Sequence, residues 1–321
     1  MITENLFDTV LVEPARLSSD KLYIISGYAA ATMVSKHFQA LKKISKDVKI
    51  ELIVGMAVSD GISRQDHEGF CSLASESHKD LFICHYVAYN CPVHSKLYAW
   101  YSGNVPKIGF NGSANYSQRA FGANCRESIV HDNPEEIRLF FNIVKQDSIN
   151  CLDPQVPGLI TLFDRTEGYM GGTEEIKEEP RTAEGFEGLP HVTVPLLNKS
   201  GQVSERSGLN WGQRPEYNRA PNQAYIALPA PIRDSGFFPP RGEHFTILTD
   251  DDKTLLCVRA QDSAKAIETP NNNSDLGLYF RNRLNVPEGA SVTMDHLQQY
   301  GRTDIDFYKI DDETYYMDFS V

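Results

Sequence analysis

Residues 93–97 read VHSKL, and residues 109–128 read GFNGSANYSQRAFGANCRES. The runs around them, SKLYAWYS and PKIGFNGS, are rich in apolar and aromatic residues and are bounded by turn residues, as β-strands are. Residues two apart on a strand point to one face. The spacing therefore predicts that His94 and Lys96 project together, and that Ser113 and Asn115 do the same at the end of the second run. Asn111 joins that face if the strand runs so far. Gly112 permits a tight turn close to a ligand, and Glu127 opens a third strand-like run, RESIVHD.

These side chains suit the handling of a phosphodiester. A neutral imidazole can attack phosphorus, while a lysine with amide or hydroxyl donors stabilises the extra negative charge of the transition state. A carboxylate such as Glu127 can fix the tautomer of the histidine through its other ring nitrogen. Each piece alone has a bland alternative: a chance His-x-Lys, a Gly-Ser turn, an exposed glutamate. Their order is what points to chemistry: HSK, then GSAN, then NCRE at 124–127.

Outward from this stretch, residues 1–163 alternate strands and helices. KLYIISGYA, VKIELIVGMAV and DLFICHYVAY read as buried strands; AATMVSKHFQALKK, SRQDHEGFCSLASES and PEEIRLFFNIVKQDSI carry helical spacing. The expected fold is α/β, a central mixed sheet flanked by helices. The pattern fails over 164–200, which is rich in Gly and Glu and reads as an acidic linker. Residues 201–321 are expected to be all-β, a barrel or half-barrel. Its strand-like runs include AYIALPA, HFTILTD, TLLCVRAQ, GLYFRNRL, DIDFYKI and TYYMDFS, with HVTVPLL just before it.

The chain has 321 residues and a net charge of −12. Taken alone, that sign argues against a nucleic-acid partner. It is unevenly spread. Residues 1–163 hold 17 acids and 15 bases, 164–187 hold 8 acids and 3 bases, and 188–321 hold 18 acids and 13 bases. Within the last block, 206–241 has five arginines against two acids, so DNA is not excluded. No apolar run is long enough to span a membrane, and MITENLFDTV does not resemble a secretory signal, so a cytoplasmic protein is expected. The six cysteines include no CxxC pair, which favours reduced, buried thiols.

Several segments of the C-terminal half collect side chains able to read base edges. LNWGQRPEYNRAPNQAYIALP supplies Trp211, Gln213, Arg214, Arg219, Asn222 and Gln223. PIRDSGFFPPRGEHF supplies Arg233, Asp234, Ser235 and Arg241. NNNSDLGLYFRNRLNVP supplies Asn271, Asn273, Tyr279, Arg281, Asn282 and Arg283. Polar loops between strands are the plain alternative for each.

The histidine–lysine constellation resembles the phospholipase D superfamily, over about residues 1–150. His94, Lys96, Ser113, Asn115 and Glu127 match that family's motif positions. The aspartate usual five residues after the lysine is Tyr101 here, which points toward the restriction-endonuclease branch and away from lipases. Residues 200–310 resemble the C-terminal domain of NgoFVII-type restriction endonucleases, similar to the plant B-three pseudobarrel. There the N-arm corresponds to about 230–242 and the C-arm to about 271–284.

The resemblance implies a metal-independent endonuclease acting through a covalent phosphohistidine, with His94 as nucleophile and Glu127 orienting it. That mechanism needs two histidines, and no second HxK exists in the chain. One per chain implies a homodimer sharing one site through the N-terminal domain. The family further implies double-stranded DNA as partner, in some members a helicase-like ATPase, and a companion methyltransferase. No Walker motif is present, so ATP would enter through another chain. Two other classes stay open: a DNA-binding protein with an inert nuclease domain, and a lipid phosphodiesterase. The acids of 164–187 could occupy the phosphate-binding groove until DNA is recognised, or form a solvated tether.

Overall fold

The computed structural model describes residues 1–123, 126–164, 183–186 and 188–321. Asn124 of the NCRE run and nearly all of the acidic stretch 164–187 lie outside the described residues, and with them the idea that the acids fill the groove. Two compact units divide the chain between the two sequence halves.

The first unit is built on seven strands: β1 (Lys21–Ser26), β2 (Lys49–Val54), β3 (Phe82–Val87), β4 (Leu97–Ser102), β5 (Val105–Gly112), β6 (Ile129–Asp132) and β7 (Ser148–Asn150). Their order is β6-β5-β4-β1-β2-β3-β7. β1, β2 and β3 are parallel, and the flanking pairings are antiparallel, so the sheet is mixed. Helices α1 (Ala31–Lys43), α2 (Arg64–Ser72) and α3 (Pro134–Gln146) cover it. The starts of two are legible in the sequence. Ser63 caps α2 by accepting from the Asp66 amide, and Asn133 caps α3 by accepting from the Glu135 amide ahead of Pro134.

Both faces of the sheet are covered. Tyr23, Ile25, Ile53, Val87, Ala99 and Tyr101 pack against Ile137, Phe141 and Val144 of α3. On the other face, Phe38 of α1 and Phe70 of α2 meet the rings of Phe82 and Tyr86. Parallel strands buried on both sides read as continuous apolar runs, which is why IIS and LIV were recognisable. His37 of α1 is wholly buried. Its Nε2 lies 2.6 Å from the Leu11 carbonyl, which can only accept, so Nε2 carries the proton and Nδ1 accepts from the Tyr116 hydroxyl at 2.7 Å. Burial holds its pKa down at about 4, so it anchors the segment after Asn115 as a neutral group.

The second unit holds β8 (His191–Pro195), β9 (Ile226–Ala227), β10 (His244–Thr249), β11 (Thr254–Ala260), β12 (Ala266–Glu268), β13 (Asp304–Lys309) and β14 (Thr314–Asp318). The sheet runs β8-β13-β14-β10-β11-β12-β9, with β10 and β14 parallel and all other pairs antiparallel. Both edge strands, through Pro195 and Ala227, line one pocket, so the sheet curls toward a barrel. β8 lies inside the stretch read as linker, and it is part of this sheet. The sheet fits the barrel-like expectation, and helices join it, the longest being α4 (Asp275–Arg283) and α5 (Met294–Tyr300). GLYFRNRL was expected to be a strand. Its buried Tyr279, Phe280 and Leu284, with Leu276 just before it, instead recur at helical spacing and join the core with Phe245, Ile247 and Phe307.

Candidate active site and the residues read as DNA contacts

The strand registers bring the motif together. Ser26 pairs with Val54, Ile25 with Leu97, Leu97 with Asn111, and Gly112 with Ile129. The ends of β1, β2 and β5 and the starts of β4 and β6 therefore share one edge of the sheet. In an open α/β sheet this edge, beyond the carboxyl ends of the parallel strands, is where ligands bind.

β3 and β4 lie on opposite sides of the β1–β2 pair, so the chain from 88 to 96 must cross the ends of both. Its route is fixed by backbone bonds. The Ala88 and Tyr89 amides donate to the Asp147 carbonyl, Val93 donates to Gly55 O at 2.9 Å, and Lys96 O accepts from Gly112 at 3.2 Å. His94 and Lys96 thus precede the strand and do not lie on it, since β4 begins at Leu97. The two side chains still converge. Lys96 Nζ donates to the His94 carbonyl at 2.7 Å and lies 3.0 Å from both ring nitrogens. A point equally near both nitrogens stands over the ring, so neither nitrogen is tied up in an in-line bond with the lysine.

Crossing so closely requires glycines at two strand ends. A Cβ on Gly55 would fall 1.8 Å from Val93 O, and one on Gly27 would fall 2.9 Å from His94 Cδ2. Gly55→Ala is expected to push the Val93–His94 segment outward and to lower any activity that uses His94 about 10²-fold. Single-turnover kinetics alongside a thermal melt would separate this from global unfolding. The signal for both glycines was in the sequence, as a glycine directly after each apolar run, IIS and LIV.

Asn115 is oriented by the end of β1. The Tyr28 amide, a donor only, bonds to Asn115 Oδ1 at 3.2 Å, and Ser26 Oγ lies 3.5 Å from the same atom. That leaves the Asn115 side-chain nitrogen as a donor. Ser113 is exposed, but its hydroxyl accepts from the Ser128 amide at 3.0 Å and ties the β5 end to the chain before β6. Lys96 is 6% exposed, and burial lowers its pKa while the negative charge of Glu127 opposes the shift. Glu127 therefore acts on Lys96; among the described residues no hydrogen bond joins it to His94. Tyr101, in place of the family aspartate, sits at the far end of β4 and donates to the Pro134 carbonyl.

Sequence reasoning missed Tyr28 and Asp60. The Tyr28 ring stands edge-on to the His94 ring at 5.8 Å, and its hydroxyl donates to the carboxylate of Asp60. Among the described residues no group of three or more His, Cys, Asp or Glu is arranged to hold a metal ion.

In the second unit, three residues expected at DNA serve the core instead, which corrects that expectation. Arg281 is fully buried and donates to the carbonyls of Ala290, Gly277 and Pro221. Arg283 forms a two-pronged pair with Asp250 at 2.7 and 2.8 Å and also bonds Tyr300 Oη and Phe319 O. Tyr279, 2% exposed, accepts from Arg283. Tyr279 and Arg283, four apart, share one side of α4, while Arg281 lies on another side, covered by the chain at Pro221 and Ala290.

Other side chains from the same segments brace loops. Gln213 donates to Pro221 O and Gly289 O, and Asn222 Oδ1 accepts from the Gly289 amide at 2.6 Å. Arg219 lies over the Trp211 ring at 3.8 Å. Asn273 holds Ala224 through its carbonyl, while its side-chain oxygen is buried without a partner. Arg233 pairs with Asp234 on a short helical turn, and Ser235 Oγ donates to Ile232 O. Asp234, Ser235, Arg241 and Asn282 are exposed, and Arg214 is half-buried.

Comparison with known proteins adds two family matches. Residues 4–157 match the NgoFVII restriction endonuclease N-terminal PLD domain, and residues 184–311 match the NgoFVII C-terminal B3-like DNA-binding domain. Among solved structures, NucT from Helicobacter pylori is similar at 14% identity and a TM-score of 0.33, over 44% of this chain and 89% of that one. A polyphosphate kinase from Porphyromonas gingivalis is similar at 14% identity and a TM-score of 0.30, over 52% of this chain and 24% of that one. No curated protein matches. Among the described residues, no helix is long and apolar enough to cross a membrane.

Proposed function

Because the chain belongs to the NgoFVII restriction endonuclease family, we propose that it is a site-specific endodeoxyribonuclease whose first unit cuts DNA and whose second unit selects the sequence. One observation carries this reading: Lys96 Nζ stands 3.0 Å from the His94 ring nitrogens, and Asn115, tied to the end of β1 by the Tyr28 amide, lies at the same sheet edge.

His94, with an unencumbered ring nitrogen, attacks the scissile phosphorus. The P–O bond to the leaving deoxyribose oxygen breaks, and the partner subunit's His94 supplies the proton to that oxygen. Water then attacks the phosphohistidine, giving up its proton to the imidazole now neutral, and the histidine is released. Lys96 and Asn115 hold the non-bridging oxygens, and Ser113 fixes the loop that carries Asn115. Only one His-x-Lys exists per chain, so the complete site belongs to a homodimer.

The reaction runs without metal under this scheme. A helicase-like ATPase and a methyltransferase are the partners such an enzyme would work with, and a cytoplasmic location suits them. Arg241 and Asn282, both exposed, and the half-buried Arg214 are the side chains we assign to DNA contact. The test is incubation with plasmid DNA in EDTA, with and without a neighbouring ATPase and ATP. Discrete fragments in EDTA support the scheme, and cleavage only after addition of a divalent metal overturns its metal independence. Phosphatidylcholine as the preferred substrate would instead indicate a lipid phosphodiesterase.

A further inference from the structure

We infer that Tyr28 and Asp60 form a positioning pair for His94, in which the Asp60 carboxylate pins the Tyr28 hydroxyl and the Tyr28 ring, set across the His94 ring, fixes the orientation of the imidazole. The inference rests on the nuclease reading above and assigns a part of the site that the His-x-Lys motif does not contain.

The placement comes from the ends of the two central strands. Tyr28 follows β1 through Gly27. Asp60 closes the short helix Ala57–Asp60 that follows β2 through Gly55. Tyr28 is held at three points. Its amide bonds to Asn115, its carbonyl accepts from Ser26 Oγ, and its hydroxyl donates to Asp60. Tyr28 stays 43% exposed, with its ring nearly perpendicular to that of His94. A tyrosine so fixed and still open to solvent can flank both the histidine and a bound ligand.

Among the described residues, the ionisable groups facing His94 are Lys96 from its own segment, Tyr28 from the β1 end and Asp60 from the β2 end. Glu127, before β6, bears on Lys96. The Tyr28 hydroxyl holds the Asp60 carboxyl below the usual range. Ser59 adds to that, burial opposes it, and the charge of His94 lowers it further.

Two measurements test this on the full-length dimer. In Asp60→Asn, single-turnover cleavage at saturating DNA is expected to fall about tenfold with DNA affinity unchanged, because orientation is what is lost. Tyr28→Phe keeps the ring and the amide bond to Asn115 and should show a smaller fall; it also serves if Asp60→Asn fails to fold. The second readout is independent of cleavage. In carboxyl-labelled protein, the Asp60 NMR titration midpoint should rise in both Tyr28→Phe and His94→Ala. A carboxyl titration unmoved in Tyr28→Phe, with undiminished single-turnover cleavage in Asp60→Asn, overturns the pairing. Full cleavage by His94→Ala would overturn the nuclease reading itself.

Discussion

His94→Ala is expected to lose cleavage by on the order of 10⁴- to 10⁶-fold while binding its DNA site as the unaltered protein does. The size follows from the absence of a substitute. Lys96 and Asn115 can hold a phosphate, but neither is a nucleophile in this setting, and a lysine that leans on the His94 carbonyl cannot replace an imidazole. A gel-shift assay beside single-turnover cleavage would check both halves. An inert nuclease domain predicts no change from an already absent activity, so the same pair of assays separates it from a working enzyme. Mixing gives a sharper result. Equal amounts of His94→Ala and unaltered chains, allowed to exchange, should retain about one quarter of the activity if both copies of His94 are required in each dimer. Retention of half would mean that each chain acts alone.

Arg283→Ala is expected to destabilise the second unit by about 3–5 kcal/mol, because it strands a buried carboxylate. The Asp250 side chain is only 9% exposed, and both of its oxygens are engaged by the guanidinium. The loss would also remove bonds to Tyr300 and the Phe319 carbonyl, so the carboxyl end of the chain would loosen from α4. Urea unfolding followed by circular dichroism measures this directly. Asn282→Ala, one residue earlier on the exposed face, should stay within about 0.5 kcal/mol. A base-reading role for Arg283 predicts the opposite result: unchanged stability and weakened sequence preference.

How far the sequence could be read depended on what each feature needed. The sheet of the first unit was legible because its parallel strands are buried on both faces and so appear as unbroken apolar runs. Its helices were legible through Asn133-Pro134 and Ser63. His94 and Lys96 were found through their spacing, although the reason given for their meeting, a shared strand face, was not how they meet. They converge because a crossing segment is pinned to Gly55 and Gly112. Tyr28 and Asp60 could not be found from any local pattern. Tyr28 reaches Asn115 across 87 positions, and only the order of strands makes them neighbours. In the second half, GLYFRNRL offered both an alternation and a helical stripe over eight residues. Only the surrounding core decides between them, and with that choice the arginines turned from DNA toward carbonyls.

The close passage of the 88–96 segment over Gly27 and Gly55 has a consequence for how this enzyme could be re-engineered. The histidine is seated against main chain, so beyond Lys96, Tyr28 and Asp60 few side chains are at hand whose replacement would retune its position by small steps. Variation for new specificity would have to come from the exposed loops of the second unit. The two bare strand ends act as a fixed datum from which the reacting atom is measured.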